Sequence, residues 1–194
     1  MFHNSFPSWS YGSSITVITR KKSIFKIPSV QRDRILHSEG FIYGSLRAGT
    51  VTRSQALTFL WRAFGAPEPT SRDCPFVDVD RKAFYYKAVL WGVEKGITNS
   101  TSKTTFSPDQ NCSRAEIVTF LYAAFGRPSC NTYTRYADVK AGKWYDRPAA
   151  WARDNGIEVG ENGSFHPRTD CARASTILYV YRALEGRALD YEKP

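Results

Sequence analysis

Long apolar runs are missing from this 194-residue chain. No stretch of about 18 apolar residues occurs, so no membrane-spanning helix is expected. Metal-binding pairs are missing as well. The four cysteines stand at 74, 112, 130 and 171, none in a C-x-x-C pair, which argues against a zinc ribbon or a thioredoxin-like motif. They read as buried small residues or free thiols, with a disulfide left open because sequence does not give connectivity. The three histidines, His3, His37 and His166, lie far apart, so no metal site is expected. No Ser/His/Asp grouping, paired-carboxylate motif or phosphate-binding glycine loop stands out. The chain reads as non-catalytic, with no cofactor.

The N-terminus does not read as a convincing signal peptide either. "MFHNSFPSWSYGSSITVITRKKSIFK" places its positive charges after the apolar stretch, and that stretch, "ITVI", is too short. Either export information is missing or the start is not the natural one. Acidic residues are comparatively scarce, 18 against 27 Lys and Arg, for a formal charge of +9. Such a balance first suggests a polyanion or nucleic acid. Six bases (Arg20, Lys21, Lys22, Lys26, Arg32, Arg34) against Asp33 and Glu39 fall in the first 45 residues. The remainder spreads a smaller excess over a much longer stretch, and no basic run exceeds "RKK". A solvated, mildly basic surface is the plainer reading.

What is present is an internal repeat. "FVDVDRKAFYYKAVLWGVEKGITNSTSKTTFSPDQNCSRAEIVTFLYAAFG" (76–126) aligns with "YADVKAGKWYDRPAAWARDNGIEVGENGSFHPRTDCARASTILYVYRALEG" (136–186). Asp78, Tyr85, Trp91 and Gly96 match Asp138, Tyr145, Trp151 and Gly156 at an offset of 60. After one deletion, Phe106, Pro108, Cys112 and Arg114 match Phe165, Pro167, Cys171 and Arg173 at 59. A third copy survives only in its second half, "TRSQALTFLWRAFG" (52–65). Its front, around Gly40-Phe41, has no D-V, Trp or F-x-P.

Each full repeat reads as helix, loop, helix. The first helix covers about "YYKAVLWGVEK" or "PAAWARDN", with Pro148 in its first turn, where no N–H is needed. It stops at Gly96 or Gly156, suited to a left-handed C-cap, and Ile97 or Ile157 packs back. The second helix opens at a capping box, Ser113 with Glu116. It carries a stripe at i, i+3, i+7: Leu57/Leu60/Phe64, Val118/Leu121/Phe125 and Ile177/Val180/Leu184. One stripe cannot bury itself, so three are expected to meet in a central bundle.

These motifs resemble the S-layer homology family, whose pattern runs F-x-D-V, W-Y, A-V-x-W-A, G-I-x-G, F-x-P and T-R-A-E. The resemblance covers roughly residues 49–186. It implies an all-α, pseudo-threefold bundle of helix-loop-helix repeats: a partial repeat at 41–67 and full repeats at 74–127 and 134–187. Residues 1–40, polar, basic and rich in Ser, are expected outside the repeat core as a disordered or degenerate segment. It implies a non-catalytic, extracellular module on the bacterial cell surface. In inter-repeat grooves the module binds a cell-wall polysaccharide or peptidoglycan, with no nucleic acid expected, and the chain would be a piece of a longer surface protein. General polyanion or nucleic-acid binding is the alternative.

Arg53, Arg114 and Arg173 match the family's T-R-A-E arginine. A cation in a helix's first turn opposes the dipole, and three such placements call for an anion. The helix N-terminus offers free N–H groups, and the guanidinium is a fork suited to a carboxylate of the polymer. An ion pair with Asp78, Asp138 or Glu116 explains the arginines equally. Asp78 and Asp138, from the F-x-D-V pattern, are also candidate ligand-binding residues, with Trp91 and Trp151 as core or groove wall. Gly160 and Gly163 allow backbone approach to a sugar or simply a turn. The third repeat reads "ARAS", losing the cap at Ala172 and the acid at Ser175. The first lacks its front half. At least one of three sites is expected to be non-functional.

Overall fold

The computed structural model describes residues 49–98, 100–130, 136–158 and 160–185. Within them five helices form: α1 (Arg53–Ala63), α2 (Tyr86–Glu94), α3 (Arg114–Ala124), α4 (Asp146–Asp154) and α5 (Arg173–Glu185). No strand forms among the described residues. The expectations for residues 1–40, and for the front of the partial repeat, lie outside them.

Local chemistry sets the boundaries. Thr52 caps α1 and Gln55 returns the hydrogen bond, and Ser113 with Glu116 does the same for α3, so both capping boxes are complete. Gly96 and Gly156 follow α2 and α4 at φ +61° and +65°, where a β-carbon is disfavoured. Ile97 and Ile157 then turn back and are buried. Asp146 opens α4, two residues before the Pro148 start that the sequence suggests.

Helices α1, α3 and α5 contact one another pairwise. Their stripes supply the centre: Leu57, Leu60, Val118, Leu121 and Val180 are buried, while Phe64, Phe125, Ile177 and Leu184 pack half-buried at its margin. Helix α2 leans on α1 and α4 on α3. The α1–α2 contact is close, for a β-carbon on Gly92 would stand 2.7 Å from Leu57 Cδ2. The aligned pair on the next two helices is Val118 and Ala152, both buried. Between the two pairs one carbon has moved across the interface, keeping the packed volume nearly constant.

A closed circuit of main-chain hydrogen bonds joins the residues just before the three central helices. Val51 N–H donates to Cys171 O (3.0 Å), Cys171 N–H to Cys112 O (2.8 Å), and Cys112 N–H to Val51 O (2.8 Å). All three side chains are buried. Burial pushes the Cys112 and Cys171 thiols up from their ordinary range. All described cysteines are free.

Candidate functional site

The N–H groups that open the central helices are already occupied. Arg53 N–H donates to Gln110 O and Ser54 N–H to Pro108 O; Arg114 N–H donates to Thr169 O and Ala115 N–H to Pro167 O. Arg173 N–H donates to Gly49 O. Backbone carbonyls from a neighbouring segment take the place that an anion could have filled.

The three arginine side chains follow the same path, each reaching into the next segment and the last into the first. Arg53 is buried. Its Nε donates to Phe106 O (3.1 Å), one terminal nitrogen to Glu116 Oε1 (2.6 Å) and the other to Thr98 Oγ1 (3.4 Å). Its guanidinium lies 5.1 Å from the Phe106 ring centre and 5.3 Å from that of Phe120. Arg114 repeats the pattern, with Nε donating to Phe165 O (2.8 Å) and a terminal nitrogen 2.9 Å from Glu158 Oε1. Arg173 donates to Gln55 Oε1 at 2.8 Å, above the Phe59 ring.

The carboxylates answering Arg53 and Arg114 sit at different places. Glu116 is the third residue of helix α3, and its counterpart in α5 is Ser175. Glu158 follows the Gly-Ile of α4, and its counterpart after α2 is Thr98. One acid has moved from helix to loop, and each arginine still meets one. Among the acids that the sequence offered as ion-pair partners, Glu116 pairs with Arg53.

Asp78 and Asp138 have another task. Asp78 accepts the N–H groups of Phe106 (2.8 Å) and Ser107 (2.7 Å), and Asp138 those of Phe165 (2.8 Å) and His166 (2.7 Å). These bonds hold the F-x-P loops while Ser107 and His166 adopt φ near +59° and +55°. Burial pushes the Asp138 carboxyl up, but the donated N–H groups outweigh it and hold the group below its ordinary range. Trp91 and Trp151 are core residues: Trp91 packs on Phe64, and Trp151 on Tyr122 and Phe125.

An open site lies between α3 and the segment leading into α4. A cavity of about 500 Å³ is walled by Gly96, Thr119, Tyr122, Arg127, Lys143, Trp144, Asp146 and Arg147. Trp144 is 60% exposed and meets Tyr145 at right angles, ring centres 5.0 Å apart. Arg127, Lys143 and Arg147 are exposed, and Arg127 donates to Gly96 O. Asp146 is 6% exposed; Oδ2 accepts Gly142 N–H (2.9 Å), while Oδ1 is buried with no hydrogen-bond partner among the described residues. A buried acceptor without a donor is costly unless something fills it. An exposed aromatic ring with flanking cations suits a sugar ring carrying negative charge.

Sequence reasoning missed Trp144, Asp146, Arg127, Lys143 and Arg147. The W-Y pair was visible, but nothing in the sequence separates an exposed Trp144 from the buried Trp91 and Trp151. The potential signal was charge: Arg127, Lys143 and Arg147 cluster on either side of a linker.

Residues 75–118 match the family model of the S-layer homology domain. The chain is 29% identical over 147 residues to a cell surface protein of Thermoanaerobacter kivui, covering 73% of this chain and 19% of that protein. It is 28% identical over 141 residues to a surface-layer 125 kDa protein of Lysinibacillus sphaericus, covering 70% and 12%. An endoglucanase of Bacillus sp. (strain KSM-635) is 28% identical over 119 residues, covering 61% of this chain and 12% of the enzyme. The chain thus spans less than a fifth of the length of these relatives.

Proposed function

We propose that this chain, which carries an S-layer homology domain at residues 75–118, anchors a larger protein to the bacterial cell wall by gripping an anionic glycopolymer. The matched domain is a non-catalytic anchoring domain, and the relatives are surface proteins or, in one case, an endoglucanase of which the shared part is 12%. These similarities support a cell-wall anchoring module at the cell surface. No helix among the described residues is long and apolar enough to cross a membrane.

The observation that carries the finer reading is the α3–α4 groove. A pyranose ring stacks on Trp144, and its acidic substituent meets the exposed Arg127, Lys143 or Arg147. A hydrogen bond from a charged donor contributes about 1.5–3 kcal/mol, and the aromatic face supplies apolar contact without long-side-chain entropy loss. In this reading the three repeats form the pseudo-threefold frame. Arg53, Arg114 and Arg173, with Asp78, Asp138, Trp91 and Trp151, serve the ligand chiefly by fixing the walls. Arg114, the less buried of the two ion-paired arginines, is the one best placed to share its guanidinium with the polymer.

Co-sedimentation with purified wall sacculi, before and after acid extraction of secondary polymers, tests the reading. Wild type should pellet with intact sacculi and stay soluble with extracted ones. Trp144→Ala and Arg147→Gln, both at exposed positions on the groove wall, should each weaken pelleting about tenfold or more without lowering the melting temperature. Equal pelleting by both variants would remove the groove from the mechanism.

A further inference from the structure

The three central helices differ in how far their outer faces are covered. On α1 the positions Ser54, Leu57, Thr58 and Trp61 are buried or half-buried, and so are Ala115, Val118, Thr119 and Tyr122 on α3. The aligned residues of α5 are Ala174, Ile177, Leu178 and Tyr181, and each is more open than both of its counterparts. Ala174 is exposed, Leu178 is 41% and Tyr181 43% exposed, and Ile177 is half-buried. Their spacing, i, i+3, i+4, i+7, makes one continuous stripe. On α1 this stripe meets α2, with Leu57 close to Gly92 and Phe64 against Trp91; on α3 it meets α4, with Tyr122 and Phe125 against Trp151. Among the described helices α5 makes its main contacts with α1 and α3, so none lies along its stripe as α2 and α4 lie along the others.

The chain arrives beside α5 in the same way that it reaches the other two. Gly49 O accepts the Arg173 N–H, as Gln110 O accepts that of Arg53 and Thr169 O that of Arg114. In the full repeats the outer helix ends near the same arginine: Thr98, after α2, bonds Arg53, and Glu158, after α4, pairs with Arg114. The loop between leaves from and returns to one place, so its length is free to change. From Phe41 to Gly49 the chain advances eight residues, a reach of up to about 26 Å when extended and ample for such a return. Upstream, Gly40-Phe41 takes the place of Gly96-Ile97 and Gly156-Ile157. Helices α2 and α4 are nine residues long and end two residues before their glycine. The same frame counted back from Gly40 gives residues 30–38, "VQRDRILHS", with Ser29 at the N-cap position.

We infer that residues 30–38 are a third outer helix, docked on the α5 stripe. In this frame Ile35 stands where Trp91 and Trp151 stand, and so meets Tyr181 and Leu184, the counterparts of Tyr122 and Phe125. Leu36 stands where Gly92 and Ala152 stand, returning at one position the bulk lost at the other. Arg32 and Asp33 replace residues that are buried in the full repeats, Ala88 and Val89 on α2 and Pro148 and Ala149 on α4. Charges at such places weaken the contact, so this cover is looser than α2 or α4 and is the first to open. The polar composition that sets residues 1–40 apart is, for 30–38, the composition of a weak cover.

Disulfide trapping on the full chain tests the docking and its register, with Cys74→Ser and Cys130→Ser leaving only the engineered thiols accessible. Ile35→Cys with Leu184→Cys should be oxidised by copper–phenanthroline at least tenfold faster than Arg34→Cys with Leu184→Cys, whose first thiol lies about 100° round the helix. The product should run as a monomer on a non-reducing gel. Hydrogen exchange on the unsubstituted chain needs no engineered thiol. Amides across 30–38 should exchange at least tenfold more slowly than in an unstructured peptide, and faster than those of α2. Leu178→Asp with Tyr181→Asp should erase that protection while exchange in α3 stays within about twofold. Equal trapping of the two cysteine pairs overturns the register, and unprotected amides at 30–38 in wild type overturn the docking. Cross-links that form only between chains assign the α5 stripe to a second copy and overturn it as well.

Discussion

Exchanging the two carboxylate positions around Arg114 tests how the segments are locked together. The Arg114–Glu158 pair spans 2.9 Å, with the two side chains 19% and 5% exposed. Glu158→Thr copies Thr98 and leaves Arg114 without a counter-charge, while Gly160 N–H loses the acceptor it has at 2.6 Å. Removing one partner of a buried pair costs about 3–5 kcal/mol. Because the arginine keeps some contact with water, about 2–4 kcal/mol is expected here. Ser175→Glu alone adds a second acid beside Glu158 and should stabilise little or destabilise. The double variant copies the Arg53 arrangement, where the acid at the helix start answers the arginine at 2.6 Å. It should recover more than half of the loss, a coupling of about 1–3 kcal/mol. Urea melts followed by circular dichroism measure all four proteins, with equal denaturant slopes showing that the same cooperative unit unfolds. A double variant no more stable than Glu158→Thr would refute the reasoning, because the arginine would then be held by its carbonyl bond and ring contact alone.

Gly92→Ala should cost about 1–3 kcal/mol by overpacking Leu57, and adding Leu57→Val, which copies Val118 and Ala152, should return most of it in the same melts. Asp138→Asn should matter least in acid. A carboxyl held below its ordinary range contributes stability above its unfolded pKa, near 4, and loses it as pH falls through the folded value. The gap between wild type and variant should therefore close below about pH 4 in thermal melts, and a gap constant from pH 7 to pH 2 would contradict this. Cys112 and Cys171, buried and with raised thiol pKa values, should react with an aromatic disulfide reagent only as the protein unfolds. The half-buried Cys74 and Cys130 should label earlier, and mass spectrometry of the labelled peptides distinguishes them.

The elements that depend on neighbours in sequence were legible before any coordinates. Ser113 with Glu116 announced α3, the i, i+3, i+7 stripes named the central helices, and Gly96 and Gly156 marked the ends of α2 and α4. The destination of the arginines was not. Whether the Arg114 guanidinium meets a polymer or an interior acid depends on Phe165 and Glu158, more than forty residues away, and no periodicity encodes that approach. The helix N-terminus looked open for the same reason, since Pro167 and Thr169 reach it through the tertiary fold. Exposure of Trp144 against burial of Trp151 is likewise decided by packing, as the two lie seven residues apart with similar surroundings in sequence.

The circuit of Val51, Cys112 and Cys171 has a consequence for assembly. An open stack of helical repeats can gain or lose a unit at either end and remain a stack. A circle whose last member bonds to its first has no free end at which to add one, so a fourth unit would have to break a link before it could join. In this geometry a new surface arises by changing the faces of existing units, as the exchange of Asp80 for Lys140 at aligned positions does. The circle also delays completion. Val51 and Cys171 are 120 residues apart in sequence, and closing so long a loop precedes the contacts that reward it. A chain emerging gradually, from a ribosome or through an export channel, holds an unfinished ring until its final helix arrives.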